Sequence, residues 1–298
     1  MAELIQHLLN GLSLGSVNAV IALGYTMVYG ILSLINFAHG DVFMLGAFAG
    51  FYVSRGLGQR PATFVGGALV TLAAMLVCAL LGVLVERFAY RPLRNQPRLT
   101  CLITAIGVSL LIENASQLVF GAAPRFFEEV FPESTFSAGE VTVLSNQLLV
   151  VVASALMMVA LQWVVFRTRL GTAMRAVSFN HEVAALMGIP VDRVIAITFA
   201  LGSALAAAAG ILVAQTYKSV DPLLGMKYGL KAFVAAVLGG IGNIPGAMVG
   251  GLVLGFAESL VAGYGGSAYR DAIAFSVLIG ILIFRPAGLF GRYVPEKV

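Results

Sequence analysis

Long apolar runs separated by short polar breaks dominate the chain. A helix rises about 1.5 Å per residue, so roughly 20 apolar residues cross the ~30 Å hydrocarbon layer of a membrane. Seven runs approach or reach that length, at 8–30, 37–54, 62–85, 100–120, 147–166, 194–215 and 267–284. An eighth stretch, 231–263, has residues for one and a half spans but is cut by GGIGNIPG at 239–246. Pro245 lacks a backbone donor and the glycines weaken a helix, so this stretch reads as a broken helix. Irregular backbone at membrane depth is tolerated only within protein or beside a water-filled cavity, which puts the break on the inside of the fold. The pattern predicts an all-α polytopic membrane protein with about eight transmembrane helices, some discontinuous, forming a single domain over 1–298.

Composition agrees: 59% of the 298 residues are hydrophobic and only 11% are charged, too few to cover a water-soluble domain of this length. The net charge of +4 would signal nucleic acid only if Lys and Arg clustered on one wet face. Here they lie between apolar runs, where positive charge marks cytoplasmic loops. Arg87, Arg91, Arg94 and Arg98, then Arg167, Arg169, Arg175 and Arg193, then Arg285, Arg292 and Lys297 mark three such regions. The connection 121–146 has one arginine against Glu128, Glu129, Glu133 and Glu140, and reads as an external loop. Counting crossings puts the N-terminus outside. The C-terminus is then cytoplasmic if 231–263 returns to its own side or crosses twice. The start of the chain has Glu3 and His7 but no Lys or Arg before its first apolar run, which argues against a cleaved secretory signal. Cys78 and Cys101 sit in or beside apolar stretches and read as packing residues.

Small residues recur at helical spacing. Gly11/Gly15, Gly46/Gly50, Gly246/Gly250 and Gly251/Gly255 each place two glycines on one helix face, the pattern that lets helices approach closely in lipid.

Ionisable groups inside apolar runs are costly, so they are the first candidates for chemistry. Asn36, His39 and Asp41 surround Gly40 in NFAHGD at the start of the second run, and Glu113, Asn114 and Gln117 lie in the fourth. These six are the candidate wall of a polar solute pathway. A plainer reading of the first group is a capped helix start, with Asn36 or Asp41 accepting from end-of-helix donors. Glu258, near a span end, reads as interfacial. No catalytic motif, metal-ligand spacing or Gly-Lys pair for a phosphate loop occurs, so no cofactor is expected on this chain, and any ATP-driven step needs a separate subunit.

The loop after the fifth run reads GTAMRAVSFNHEVAALMGIPVDRV, 171–194. Asn180 can cap a short helix that aligns Val183, Leu186 and Met187 on one face, with Gly188 and Pro190 ending it. So short a helix is not stable alone and needs a surface. That surface belongs either to this protein's own cytoplasmic face or to a partner.

Three stretches, GILSLINFAHGDVFMLGAF, GTAMRAVSFNHEVAALMGIPVDRVIAITFALGSALAAAAGIL and LKAFVAAVLGGIGNIPGAMVGGLVLGFAES, resemble LivH-type permeases of branched-chain amino-acid ABC importers. The similarity extends to the terminal RPAGLFG. The resemblance implies a multi-pass bacterial inner-membrane permease paired with a LivM-like second permease. It also implies two cytoplasmic ATPase subunits using ATP and Mg, and a periplasmic binding protein delivering substrate. It places Asn180, Glu182, Val183, Ala184, Ala185, Leu186, Met187 and Gly188 at the coupling helix of the cytoplasmic loop 167–193, where Val183 departs from the usual alanine. Related permeases are associated with leucine, isoleucine and valine, and also with other amino acids, urea or short amides. The competing class is a secondary transporter or channel working without an ATPase, with Asp41 or Glu113 as an ion site.

Overall fold

The computed structural model describes residues 2–32, 34–57, 62–94, 96–138 and 141–291. Arg292, Lys297 and Glu140, used above for topology, lie outside the described residues, as does the side chain of Arg98. The helices are α1 (Ala2–Leu32), α2 (His39–Gly56), α3 (Phe64–Val85), α4 (Arg98–Phe120), α5 (Ser145–Arg167), α6 (Arg169–Phe179), α7 (His181–Leu186), α8 (Val191–Tyr217), α9 (Leu224–Gly239), α10 (Ile244–Tyr264) and α11 (Arg270–Phe284). Among the described residues seven helices are long and apolar enough to cross a membrane: α1, α3, α4, α5, α8, α10 and α11 with the turns that extend α3 and α11. The chain is an all-α polytopic membrane protein. The run at 37–54 forms α2, but it and α9 are shorter helices, of 18 and 16 residues, held among the long ones.

The core is built on α1 and α8, whose apolar windows are 83% and 72% buried, while α11 is only 6% buried and lies at the periphery. Small residues explain the central packing. Gly11 and Gly15 of α1 face Phe256, Ser259 and Leu252 of α10, while Gly251 and Gly255 face Ala19 and Gly15 in return. A methyl group at Gly251 would overlap the Ala19 backbone, so this seam requires glycine. Gly46 and Gly50 meet Ala207 and Ile211 of α8, and Gly246 and Gly250 meet Gly239 and Ala235 of α9. All four glycine pairs thus serve helix packing.

The eighth stretch resolves into an antiparallel hairpin. α9 begins at Leu224, earlier than the hydrophobic run indicates, and α10 follows after a turn at 240–243. Gly240 and Gly242 take positive φ values of 104° and 90°, and Asn243 caps α10 by accepting from the Gly246 amide at 3.1 Å. The break therefore falls at the tip of the hairpin, with Gly242 exposed, instead of midway along a span inside the fold. Because α9 starts seven residues before 231, its helix is complete before the glycines arrive. The segment after α11 closes this tip: the Leu289 and Phe290 amides donate to the Leu238 and Gly239 carbonyls, and Asn243 Nδ2 donates to the Phe290 carbonyl at 2.8 Å.

The tip lies beside Gly30, near the end of α1, whereas His7 at the start of α1 lies against Gly263 at the end of α10. The molecule therefore has one face carrying the start of α1 and the 121–144 loop, and an opposite face carrying α6, α7 and the hairpin tip. The loop carries short strands: β1 (Arg125–Phe126) pairs with β4 (Ser219–Val220), and β2 (Thr135–Ala138) pairs with β3 (Val141–Leu144). Buried Gln215 holds the loop to α8, accepting from the Val130 amide at 2.9 Å and donating to the Phe131 carbonyl at 3.2 Å. Lys218 adds ion pairs with Glu129 at 2.7 Å and Glu133 at 2.6 Å.

Candidate functional site

α2 begins at His39 without a side-chain cap, its first turn closed by the His39 amide donating to the Asn36 carbonyl at 3.1 Å. The capping alternative for Asn36 or Asp41 therefore does not describe this helix start. The Asn36 side chain is buried and accepts from the Tyr90 hydroxyl at 2.8 Å. Tyr90 ends a π-turn, Glu86–Tyr90, that continues α3, and the 3-10 turn Arg91–Leu93 follows. There Arg94 bonds Glu86 and also reaches Asp192 at the start of α8 at 2.7 Å, while Arg91 pairs with Asp192 as well. Charges thus fasten the end of α3 to the start of α8 and hold Tyr90 against the NFAHGD turn.

His39 is buried behind Tyr25, ring centroids 4.7 Å apart in an edge contact, and its Nε2 has no partner among the described residues. Asp41 points the other way. Its carboxylate accepts from the Ser109 hydroxyl on α4 and lines a cavity of about 180 Å³ between α2, α4 and α9. Glu113, one helical turn beyond Ser109, lines the same cavity, with Tyr25, Phe37 and Phe233 as its aromatic wall. Two carboxylates and a hydroxyl are the polar points of a wall that is otherwise apolar, with Ile106, Leu110, Met226 and Leu230 completing it.

Of the six sequence candidates, the structure brings Asp41 and Glu113 together, and it puts Asn36 and His39 in separate packed positions next to them. Asn114 is exposed and donates to the Leu110 carbonyl of its own helix at 2.7 Å, and Gln117 does not line the cavity. Ser109 escaped the sequence reading, although its i, i+4 spacing to Glu113 was available. Glu258 is fully buried, contrary to the interfacial reading, because Lys231 of α9 reaches it at 3.1 Å.

The loop after α5 forms α6 and α7 on the opposite face from the 121–144 loop. Thr168 caps α6 by accepting from the Gly171 amide at 3.1 Å. Asn180 caps α7 by accepting from the Val183 amide at 3.0 Å. Gly188, at φ 81°, ends α7: its amide donates to the Ala185 carbonyl and the Ile189 amide to the Ala184 carbonyl, both at 3.0 Å. This pair of bonds is a Schellman motif, which needs the left-handed conformation glycine adopts freely. Ala184 faces inward, while Val183, Leu186 and Met187 are exposed, Leu186 by 86%. Phe179, the last residue of α6, is 92% exposed just before the Asn180 cap and was not among the sequence candidates. His181 ties α7 to the body of the protein, its Nε2 lying 2.9 Å from the Ile31 carbonyl near the end of α1.

Residues 7–284 match the family described as "Branched-chain amino acid transport system / permease component". The chain belongs to this permease family. It is 43% identical, over 99% of its own length and 97% of the relative's, to the high-affinity branched-chain amino acid transport system permease protein LivH of Escherichia coli strain K12. It is equally similar, 43% over 99% and 98%, to the corresponding permease BraD of Pseudomonas aeruginosa. A probable branched-chain amino acid permease of Methanocaldococcus jannaschii is 30% identical over 91% of this chain and 88% of its own. As a permease of this family the chain is a transporter component and not an enzyme.

Proposed function

We propose that this permease carries branched-chain amino acids inward across a bacterial inner membrane as one subunit of an ABC importer. A LivM-like second permease, two cytoplasmic ATPase subunits using ATP and Mg, and a periplasmic binding protein complete the machine. The N-terminus and the 121–146 loop face outward, and the C-terminus and the coupling loop 167–193 face the cytoplasm, in keeping with the arginines at α3–α4 and α5–α8. The whole of 1–298 forms one permease domain.

The observation that carries this reading is α7. A six-residue helix, capped at both ends, holds Val183, Leu186 and Met187 exposed, with Phe179 at the end of α6 exposed beside its cap. Apolar side chains held out in this way are stabilised when a partner covers them. The His181 contact passes any displacement of α7 to the end of α1, the most buried long helix. Alternating access follows: closure of the ATPase dimer pushes α7, α1 moves against α10 and α8, and the open side of the pathway changes. Asn36, His39, Asp41, Glu113, Asn114 and Gln117 are the proposed pathway residues. Asp41 and Glu113 face solute directly, while Asn36 and His39 fix the turn that presents Asp41.

Expression with the partner subunits and gentle solubilisation test the proposal. Leu186→Glu is expected to abolish ATPase co-purification and amino-acid uptake while membrane insertion stays normal. A permease that purifies alone and still moves solute would instead establish an ATPase-independent transporter.

A further inference from the structure

A second cavity, of about 360 Å³, lies on the face of the 121–144 loop, between α1, α5, α8, α10 and α11. This is within the range of ~300–1,000 Å³ typical of small-molecule sites. Its wall combines apolar Leu14, Val17 and Val213 with polar side chains that include Ser13, Gln147 and Arg270.

Arg270 is unusual within this wall. Lys231 takes the two neighbouring carboxylates, Glu258 at 3.1 Å and Asp271 at 2.7 Å. Arg270 itself forms no ion pair among the described residues, and its Nε is buried without a partner. A guanidinium is always charged and has five donors arranged to bind an oxyanion at two points. Arg270 sits at the start of a membrane helix beside the cavity; the buried Glu258 carboxylate acts on it electrostatically, but no hydrogen bond from Arg270 is formed among the described residues, so its donors are open to a further oxyanion. The positive end of the α11 dipole adds to the same field.

We infer that this cavity is a reception site for the transported solute, in which Arg270 binds the carboxylate of a small amino acid and the Leu14–Val17–Val213 wall receives a short apolar side chain. The inference rests on the proposed importer role and adds a station distinct from the Asp41–Glu113 cavity. The two are complementary: the outer one binds the anionic end of a zwitterion, and the inner one, with its two carboxylates, suits its ammonium end. A solute released by a binding protein would meet Arg270 first.

The test uses the assembled transporter in vesicles with Ser13→Cys in the cavity wall, the native Cys78 and Cys101 being buried. A small charged thiol reagent added from the 121–144 face should modify position 13. Leucine should slow that modification, whereas leucinamide, lacking the carboxylate, and chloride should not. Arg270→Gln should weaken the protection about tenfold, the scale of one charge-assisted interaction, with Arg270→Lys intermediate and ATPase co-purification retained in both. Protection by chloride as strong as by leucine would reduce the site to a simple anion site and overturn the inference. So would equal labelling with and without leucine in vesicles that import leucine, or no labelling at all. Vesicles that assemble with ATPases yet import no amino acid would instead count against the proposed function.

Discussion

His181 Nε2 and the Ile31 carbonyl, 2.9 Å apart and separated by 150 residues of chain, form the side-chain link between the surface helix α7 and the central helix α1. One such bond is worth about 1 kcal/mol. In the proposed mechanism its importance is mechanical, as part of the route from α7 to α1. His181→Ala should leave ATPase co-purification intact and reduce uptake several-fold, raising the ATP hydrolysed per amino acid moved. Loss of ATPase binding would assign His181 to the docking surface instead.

Asp41 has Ser109 as its partner across the cavity and Glu113 a turn away on α4. Asp41→Ala should impair uptake without releasing the ATPases, and Ser109→Ala should do so more mildly. Unchanged uptake in Asp41→Ala would make this carboxylate a packing feature.

Lys231 joins three helices by pairing with Glu258 of α10 and Asp271 of α11. Glu258 is fully buried, and removing its partner Lys231 costs about 3–5 kcal/mol because the buried carboxylate is left without its ion pair. Lys231→Met should therefore lower the melting temperature of the detergent-solubilised protein sharply. Lys231→Met combined with Glu258→Met should recover much of the loss, which a thermal unfolding series would show.

The seam between α1 and α10 has no spare volume at Gly251, where a side chain meets the Ala19 backbone. Overpacking costs about 1–3 kcal/mol when neighbours can shift, and more when backbone is the obstacle. Gly251→Leu should fail to accumulate as a folded protein, whereas Gly280→Leu, at a glycine with open space around it, should be tolerated. Fluorescence-detected size exclusion of the two variants would separate them.

Outside the membrane spans, hydrogen bonding to Lys218 holds the Glu129 carboxyl below its usual value of 4.5. A carboxyl depressed by folding contributes stability above its unfolded pKa and loses it as pH falls through the folded value. Its partner Lys218 is raised above 10.5, so the bridge is intact throughout the neutral range. The melting difference between wild type and Glu129→Gln should be constant near pH 7 and close as the solution is acidified below pH 4.5. A difference persisting unchanged at pH 2 would exclude the ion pair as its source.

Length and periodicity made most helices legible, because a run of apolar residues either does or does not span hydrocarbon. The start of α9 was hidden for an identifiable reason: Lys227, with Gly225 and Gly229 around it, interrupts the apolar pattern before residue 231. The separation of 27 residues from its partner Lys231 concealed the burial of Glu258. Asn36 sits where a cap residue would, yet Tyr90, 54 residues distant, claims its side chain. The coupling helix was readable in detail, since Asn180, Gly188 and the apolar spacing are local signals. Phe179 was missed because it precedes the cap and ends the helix before α7. At the candidate pathway, sequence placed polar residues on the right helices without saying which ones face the same space.

The contacts of Leu289 and Phe290 with the hairpin tip bear on how the protein is made. These residues leave the ribosome well after the hairpin, yet their amides satisfy carbonyls at Leu238 and Gly239 that have already been placed. Until they arrive the tip is incomplete, so the stitch that closes it can form only after α11 has been made. A nascent permease stalled after α11 should remain open to quality-control proteases at the 240–243 turn, and a few further residues should close that window.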